Sequence, residues 1–208
     1  EMDTLAIVIP DYLGTATKEW LETRDAIGQA PRGLLCEILG ASPSAHIITV
    51  INGDTPQNMA NIITEVRNQS GARVTAVQYN GARKLVGALQ VGYQDALTMR
   101  LGSVVRLDTA EHDPTFIPRL EQLTRSQGVV VGDLSFSNGK LTPGTMDETI
   151  HLRVFPELYG AATRGRLRIS CAHGYQAYTD NTLEIILPEA SRLVDAVENK
   201  LGESMTWG

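Results

Sequence analysis

Short, nearly unbroken apolar runs recur along the chain: LAIVIP (5–10), HIITVIN (46–52), RVTAVQY (73–79), SVVRLD (103–108) and GVVVGD (128–133). They do not alternate between apolar and polar positions, which predicts strands of a parallel sheet covered on both faces. The stretches between them are longer and carry apolar residues at helical spacing. In TPQNMANIITEVRNQSG, Met59, Ile62, Ile63 and Val66 share one face and Gly71 supplies a stop. In ARKLVGALQVGYQDALTMRLG, Leu85, Leu89, Tyr93 and Leu97 repeat in the same way. Strand–helix alternation predicts βαβ units with right-handed crossovers. The fold class expected is α/β: a mostly parallel sheet with helices on both faces, in a single domain.

After Gly132 the texture changes. DLSFSNGKLTPGTMDETI (133–150) is rich in turn formers and predicts a long loop or irregular excursion. A helix is expected around 150–164, a short strand near 166–170, then a loop and one or two closing helices. No internal repeat, low-complexity segment or linker divides the chain.

Composition narrows the function classes. With 208 residues, 42% hydrophobic and 20% charged, the chain reads as globular and soluble and can bury a substantial core. A net charge of −6 argues against a nucleic-acid surface, which is normally basic. It leaves phosphate-bearing ligands open, because local cations can offset it. Cys36 and Cys171 lie far apart with no metal-binding or CxxC spacing, so reduced thiols and a cytoplasmic setting are expected. No apolar run is long enough to span a bilayer and no signal peptide is visible. Glu1 ahead of Met2 is read as an extra residue before the native start.

In open α/β sheets ligands bind beyond the carboxyl ends of the strands. Three stretches fall there: PDYLGT, NGDTPQN and DTAEHD, which makes Asp11, Asn52, Asp54 and Asp108 candidate neighbours. Asp54 has a plain alternative as a turn residue or helix cap, since Pro56 follows at a first helical turn. Asp113 directly precedes Pro114 and reads as a helix cap rather than a catalytic acid. Asp108 differs, because it ends an apolar strand well before any helix needs a cap. A carboxylate there is costly to desolvate unless it meets water, a cation or a metal. A hard cation such as Mg²⁺ takes one or two protein carboxylates, so Asp108 could be one ligand and Glu111 the second, unless Glu111 sits in water. His112 either ligates a metal or, more commonly for such a residue, packs or bonds a helix end.

Five segments, in order, resemble family 2 glycosyltransferases of the GT-A fold, nearest the polyprenyl-phosphate (dolichyl-phosphate mannose synthase-like) branch. They are LAIVIPDYLG, ITVINGDTPQNMANII, YNGARKLVGALQVGYQDA, VVRLDTAEHDPTFIPRL and ISCAHGYQAYTDNTLEIIL, and they extend over most of the chain. The resemblance implies sugar transfer from a nucleotide-diphosphate donor to an acceptor such as a polyprenyl phosphate, with Mg²⁺ or Mn²⁺ on the diphosphate. It implies a nucleotide-binding half (1–133) and an acceptor-side half (134–208), working in the cytoplasm or at the cytoplasmic face of a membrane. Carried over by position, Asp108 is the metal-side carboxylate, with Glu111 as substitute second acid. Pro10 and Tyr12 shape the base-binding loop, Asn52 and Asp54 lie by the nucleoside, and Lys84 lies near the phosphates.

The chain also departs from that pattern. Gly14 replaces a glutamate, Ile51 and Asn52 replace paired acids, and Thr109-Ala110 follow Asp108 where a second aspartate belongs. In the late motif Ser170, His173 and Gln176 stand for an acid, a serine and an arginine, leaving His173 as the one titratable side chain able to act there as general base. An alternative of another class is therefore a catalytically impaired domain that binds a sugar-nucleotide or a protein partner. A nucleotidyltransferase is disfavoured because no GxGTR-type loop follows the first run. A Rossmann dehydrogenase is disfavoured because IPDYLGTAT has one glycine where GxGxxG needs three.

Overall fold

Alternate residues of a strand point to opposite faces, so a strand apolar at every position must be covered twice. Strand β1 (Leu5–Tyr12) meets this condition: Leu5, Ile7 and Ile9 enter one core, and Ala6 and Val8 enter another on the opposite face. The computed structural model describes residues 5–30, 32–81, 84–107, 112–132, 134–137, 140–143 and 175–201. The remaining strands are β2 (His46–Asn52), β3 (Val74–Tyr79), β4 (Ser103–Arg106), β5 (Val129–Gly132), β6 (Leu134–Ser137), β7 (Lys140–Pro143) and β8 (Tyr175–Thr179). The helices are α1 (Thr15–Arg24), α2 (Leu34–Ala41), α3 (Pro56–Gln69), α4 (Lys84–Met99), α5 (Ile117–Gln127) and α6 (Asp180–Leu201).

Six strands form one sheet in the order β3-β2-β1-β4-β8-β5. β1 to β4 are parallel to one another, and β8 runs antiparallel to both β4 and β5. One core holds Ile7, Ile47 and Val105 of the sheet with residues of α1, α2, α3 and α5. The other holds Val8, Ile48 and Val104 with Leu89 and Tyr93 of α4 and Leu183 and Ile186 of α6. The fold is α/β with a mostly parallel sheet and helices on both faces, as the periodicity predicts.

Two expectations for the second half are corrected. The segment from 133 is not wholly loop: β6 and β7 pair antiparallel, Leu134 opposite Pro143 and Ser137 opposite Lys140. The sequence between them, Asn138-Gly139, is a favoured hairpin turn, but four-residue strands of mixed polarity carry too little pattern to be read alone. The second correction concerns β8, expected as loop and found inside the sheet between β4 and β5. The helix and strand expected at 150–164 and 166–170 lie outside the described residues. Among the described residues one closing helix, α6, follows β8 and carries Pro188 within it.

Close packing positions α4. A Cβ on Gly92 would overlap the side chain of Val8 and lie 2.9 Å from Cγ2 of Val50. Both valines belong to strands paired on two sides and cannot retreat. Gly92→Ala gains about 0.8–1 kcal/mol of helix propensity against an overpacking cost of about 1–3 kcal/mol. We expect a net loss of stability in chemical denaturation. An unchanged or raised midpoint would show that α4 can lift from the sheet.

Candidate functional site

The strand order reverses about β1, with β2 on one side and β4 on the other, and ligands bind at the carboxyl end of such a switch point. β1 continues beside β2 to Tyr12, where Tyr12 registers with Asn52, but its pairing with β4 stops at Val8 opposite Arg106. Among the described residues, the bond furthest along that seam runs from the Leu107 amide to the Val8 carbonyl at 3.0 Å. Pro10 lies two residues further along the same edge. Proline has no N–H to leave unsatisfied, which suits a stretch of strand whose neighbour has ended. The described pairing of β1 with β4 thus ends at Val8, and the switch point just past it is the candidate ligand crevice.

Tyr12 stands at the rim, 67% exposed. Its ring lies over Gly53, where a Cβ would come 2.6 Å from Cε2, and Gly53 has φ of 85°. The next residue, Leu13, adopts φ of 57°, the left-handed region that costs a side-chain-bearing residue about 1–2 kcal/mol. Hydrogen bonds hold it there: the Leu13 amide donates to the Asn52 carbonyl at 2.6 Å. Its own carbonyl accepts from Lys18 Nζ at 2.6 Å.

Two acids nominated by the sequence are committed elsewhere. Asp11 is buried and caps α1 with both oxygens, accepting from the Ala16 amide at 3.0 Å, the Thr17 amide at 2.9 Å and the Thr17 hydroxyl at 2.6 Å. Burial pushes its carboxyl above the ordinary value, outweighing those bonds and nearby Lys18, which pull it down. Asp54 accepts from Lys18 Nζ and Asn58 Nδ2 on one oxygen, both at 2.6 Å, and from the Thr55 amide at 2.8 Å on the other. The Lys18 hydrogen bond is the main cause holding Asp54 below the ordinary carboxylate value. The cap of α3 is the Thr55 side chain, which accepts from the Asn58 amide; Asp54 does not serve as that cap.

The other candidates divide between the rim and the unplaced segments. Asn52, half-buried at the end of β2, follows Ile48 and Val50 on the face that carries α4. Lys84 opens α4 at that same end of the sheet. Pro10, Tyr12, Asn52 and the start of α4 thus share one side of the carboxyl edge. Asp113 caps the turn Pro114–Phe116 as its sequence predicts, accepting from the Thr115 amide at 3.0 Å and hydroxyl at 2.8 Å, and His112 beside it is buried. Asp108, Glu111 and His173 lie outside the described residues. Among the described residues no three histidines, cysteines or acids gather as a metal would require. No described helix is long and apolar enough to cross a membrane.

Gln176 is not in a loop over the crevice. It sits in β8 opposite Arg106, buried, and its Oε1 accepts from the hydroxyls of Tyr93 at 3.0 Å and Tyr178 at 3.2 Å. The two phenol rings meet edge to face at 5.6 Å. Burial raises the Tyr93 phenol while the nearby Arg106 charge lowers it. Arg106, fully buried, and Lys18 were not singled out from the sequence. An arginine inside the run SVVRLD was the available signal for the first; nothing local pairs Lys18 with Asp54.

No family model matches the chain, and no curated protein matches it. Solved structures with some likeness include S. aureus TarS 1–349, at 11% identity and a TM-score of 0.43, over 85% of this chain and 47% of that one. A second is the mannosyltransferase PcManGT from Pyrobaculum calidifontis in complex with GDP-Man and Mn²⁺, at 13% identity and 0.36, over 66% and 36% of the two chains. A third is the bifunctional glycosyltransferase WbbM in its apo form, at 13% and 0.42, over 95% and 37%. The chain spans less than half the length of each.

The Asp54 pairing has a pH signature. A carboxyl held below its unfolded value of about 3.9 adds stability that is complete above that pH and lost as pH falls through the lower folded value. In Asp54→Asn the fall in stability below about pH 4 is expected to be shallower than in the parent. Denaturation midpoints across the acid limb check this, and superimposable slopes would mean that the ion pair is not held in solution.

Proposed function

We propose that the chain is a glycosyltransferase that moves a sugar from a nucleotide-diphosphate donor to an acceptor, with a polyprenyl phosphate as the acceptor class. The observation that carries this reading is the switch point where the described β1–β4 pairing ends, with buried Pro10, exposed Tyr12 and half-buried Asn52 on one face of the two strands that continue. An exposed phenol ring on a glycine turn suits a planar base, and a carboxamide suits its polar edge. The motif resemblance supplies the donor class, and the start of α4 with Lys84 suits the diphosphate end. Asp108 and Glu111 would hold Mg²⁺ or Mn²⁺, which when bound neutralises charge on the leaving diphosphate. His173 would act as general base toward an acceptor hydroxyl or as a partner to an acceptor phosphate. On this reading residues 1–133 bind the nucleotide and 134–208 face the acceptor, in the cytoplasm or at the cytoplasmic face of a membrane.

One feature favours a second reading, a domain that binds the sugar-nucleotide without turning it over. At the end of β2, Ile51 is fully buried in the core and Asn52 is neutral, so the residue pair nearest the nucleoside brings no carboxylate.

Thermal shift with UDP-, GDP- and dTDP-sugars, with and without Mn²⁺, separates base preference from metal dependence, since a ligand raises the melting temperature by linkage. Asp108→Asn is expected to abolish the Mn²⁺-dependent part of the shift while leaving the unliganded melting temperature unchanged or raised. Retention of the same Mn²⁺ dependence would remove Asp108 from the site. His173→Ala is expected to lower transfer about 10²–10⁴-fold, with the parent rate varying around a pH near 6.5. Donor binding with no transfer to any acceptor in the parent selects the second reading.

A further inference from the structure

The Tyr12-Leu13 turn is held by a closed circuit of contacts that the crevice itself does not require. The Tyr12 ring rests on Gly53, and Gly53 leads into Asp54. Asp54 binds Lys18 Nζ at 2.6 Å, and the same nitrogen binds the Leu13 carbonyl at 2.6 Å. Asn58 Nδ2 and the Thr55 amide anchor Asp54 to the start of α3. The Tyr12 carbonyl accepts from the Thr15 hydroxyl at 2.9 Å. A lysine chain pinned at two points gives up much of its rotamer freedom. The pair is partly open to water, its side chains 36% and 11% exposed for Lys18 and Asp54, and contributes only modestly to stability in return. What the pair does secure is the left-handed backbone at Leu13, a strained conformation of the kind that persists only where neighbours over-determine it.

We propose that Lys18 and Asp54 form a latch that pre-orients Tyr12 for the base ring of a nucleotide, Lys18 being a positioning residue that acts through the Leu13 carbonyl. The use of Tyr12 as a base platform rests on the reading given under Proposed function; the latch itself does not. Pre-orientation lowers the ordering cost of binding, so its loss weakens affinity more than it changes the chemical step.

The test uses the full chain and has two arms. In the first, amide hydrogen exchange is followed for Leu13, with Ile7 and Ile48 of the core strands as references. Lys18→Met is expected to speed exchange at Leu13 about tenfold with the references unchanged, and Lys18→Arg to restore much of the protection. Exchange at Leu13 that matches the parent overturns the latch. The second arm measures calorimetric affinity for GDP, UDP and dTDP. Lys18→Met is expected to weaken the nucleotide that binds best by about tenfold in the parent background and not at all in Tyr12→Ala. Losses that add in the double variant overturn the indirect role, since they would mean Lys18 touches the ligand itself. Faster exchange at Leu13 in a protein that binds none of the three nucleotides upholds the latch and removes the nucleotide reading instead.

Discussion

The mismatch in length between β1 and β4 shapes everything at the carboxyl edge. Among the described residues β1 is bonded on both edges through Val8 and to β2 alone beyond it, at the point where the sheet order reverses. A strand end with free N–H groups would need water or a new partner there. Pro10 removes the donor that would face the gap, and Tyr12 and Asn52 finish the two strands that continue. The place of the candidate crevice is thus set by strand order and register, before any side chain is chosen for chemistry.

Packing beneath the sheet keeps the crevice at one place. α4 approaches so closely at Gly92 that its backbone touches the valines of β1 and β2, which fixes where its first turn emerges. At the far side of the seam, β8 closes the sheet against β4 by burying Gln176 with two tyrosine hydroxyls on its carbonyl. An unsatisfied amide in that position would be expensive, and a satisfied one specifies the strand's register. The polar cluster of Arg106, Gln176, Tyr93 and Tyr178 is therefore structural in its geometry, and it lies directly under the strand that leads to Asp108.

Charge at the edge is distributed differently from what the sequence pattern alone suggests. Asp11 and Asp54 looked alike in the sequence, each just past an apolar run. One is consumed by the first turn of α1, where unpaired amides demand an acceptor. The other is consumed by Lys18 and Asn58. Tyr12 and Asn52, which end the two paired strands, are uncharged, so the proposed base recognition rests on an aromatic ring and a carboxamide. The proposed metal and acceptor chemistry rests on residues 108, 111 and 173, which lie outside the described residues.

Strands β1 to β5 were legible within two residues at each end, and in β1, β2 and β4 the reason is burial on both faces, which leaves a largely apolar run as a purely local mark. The Asp113 cap was legible for the same reason, since Asp-Pro sets a helix start through neighbouring backbone alone. The β8 insertion was not, because a glutamine reads as surface until two tyrosines, one on α4 and one two residues on, are brought to it. Nor was the role of Lys18, which finds Asp54 across 36 residues of sequence. Local pattern determines which segments are buried and where backbone turns begin. Which charge meets which, and which acids remain for a ligand, is decided only when the crossovers have set the strands side by side.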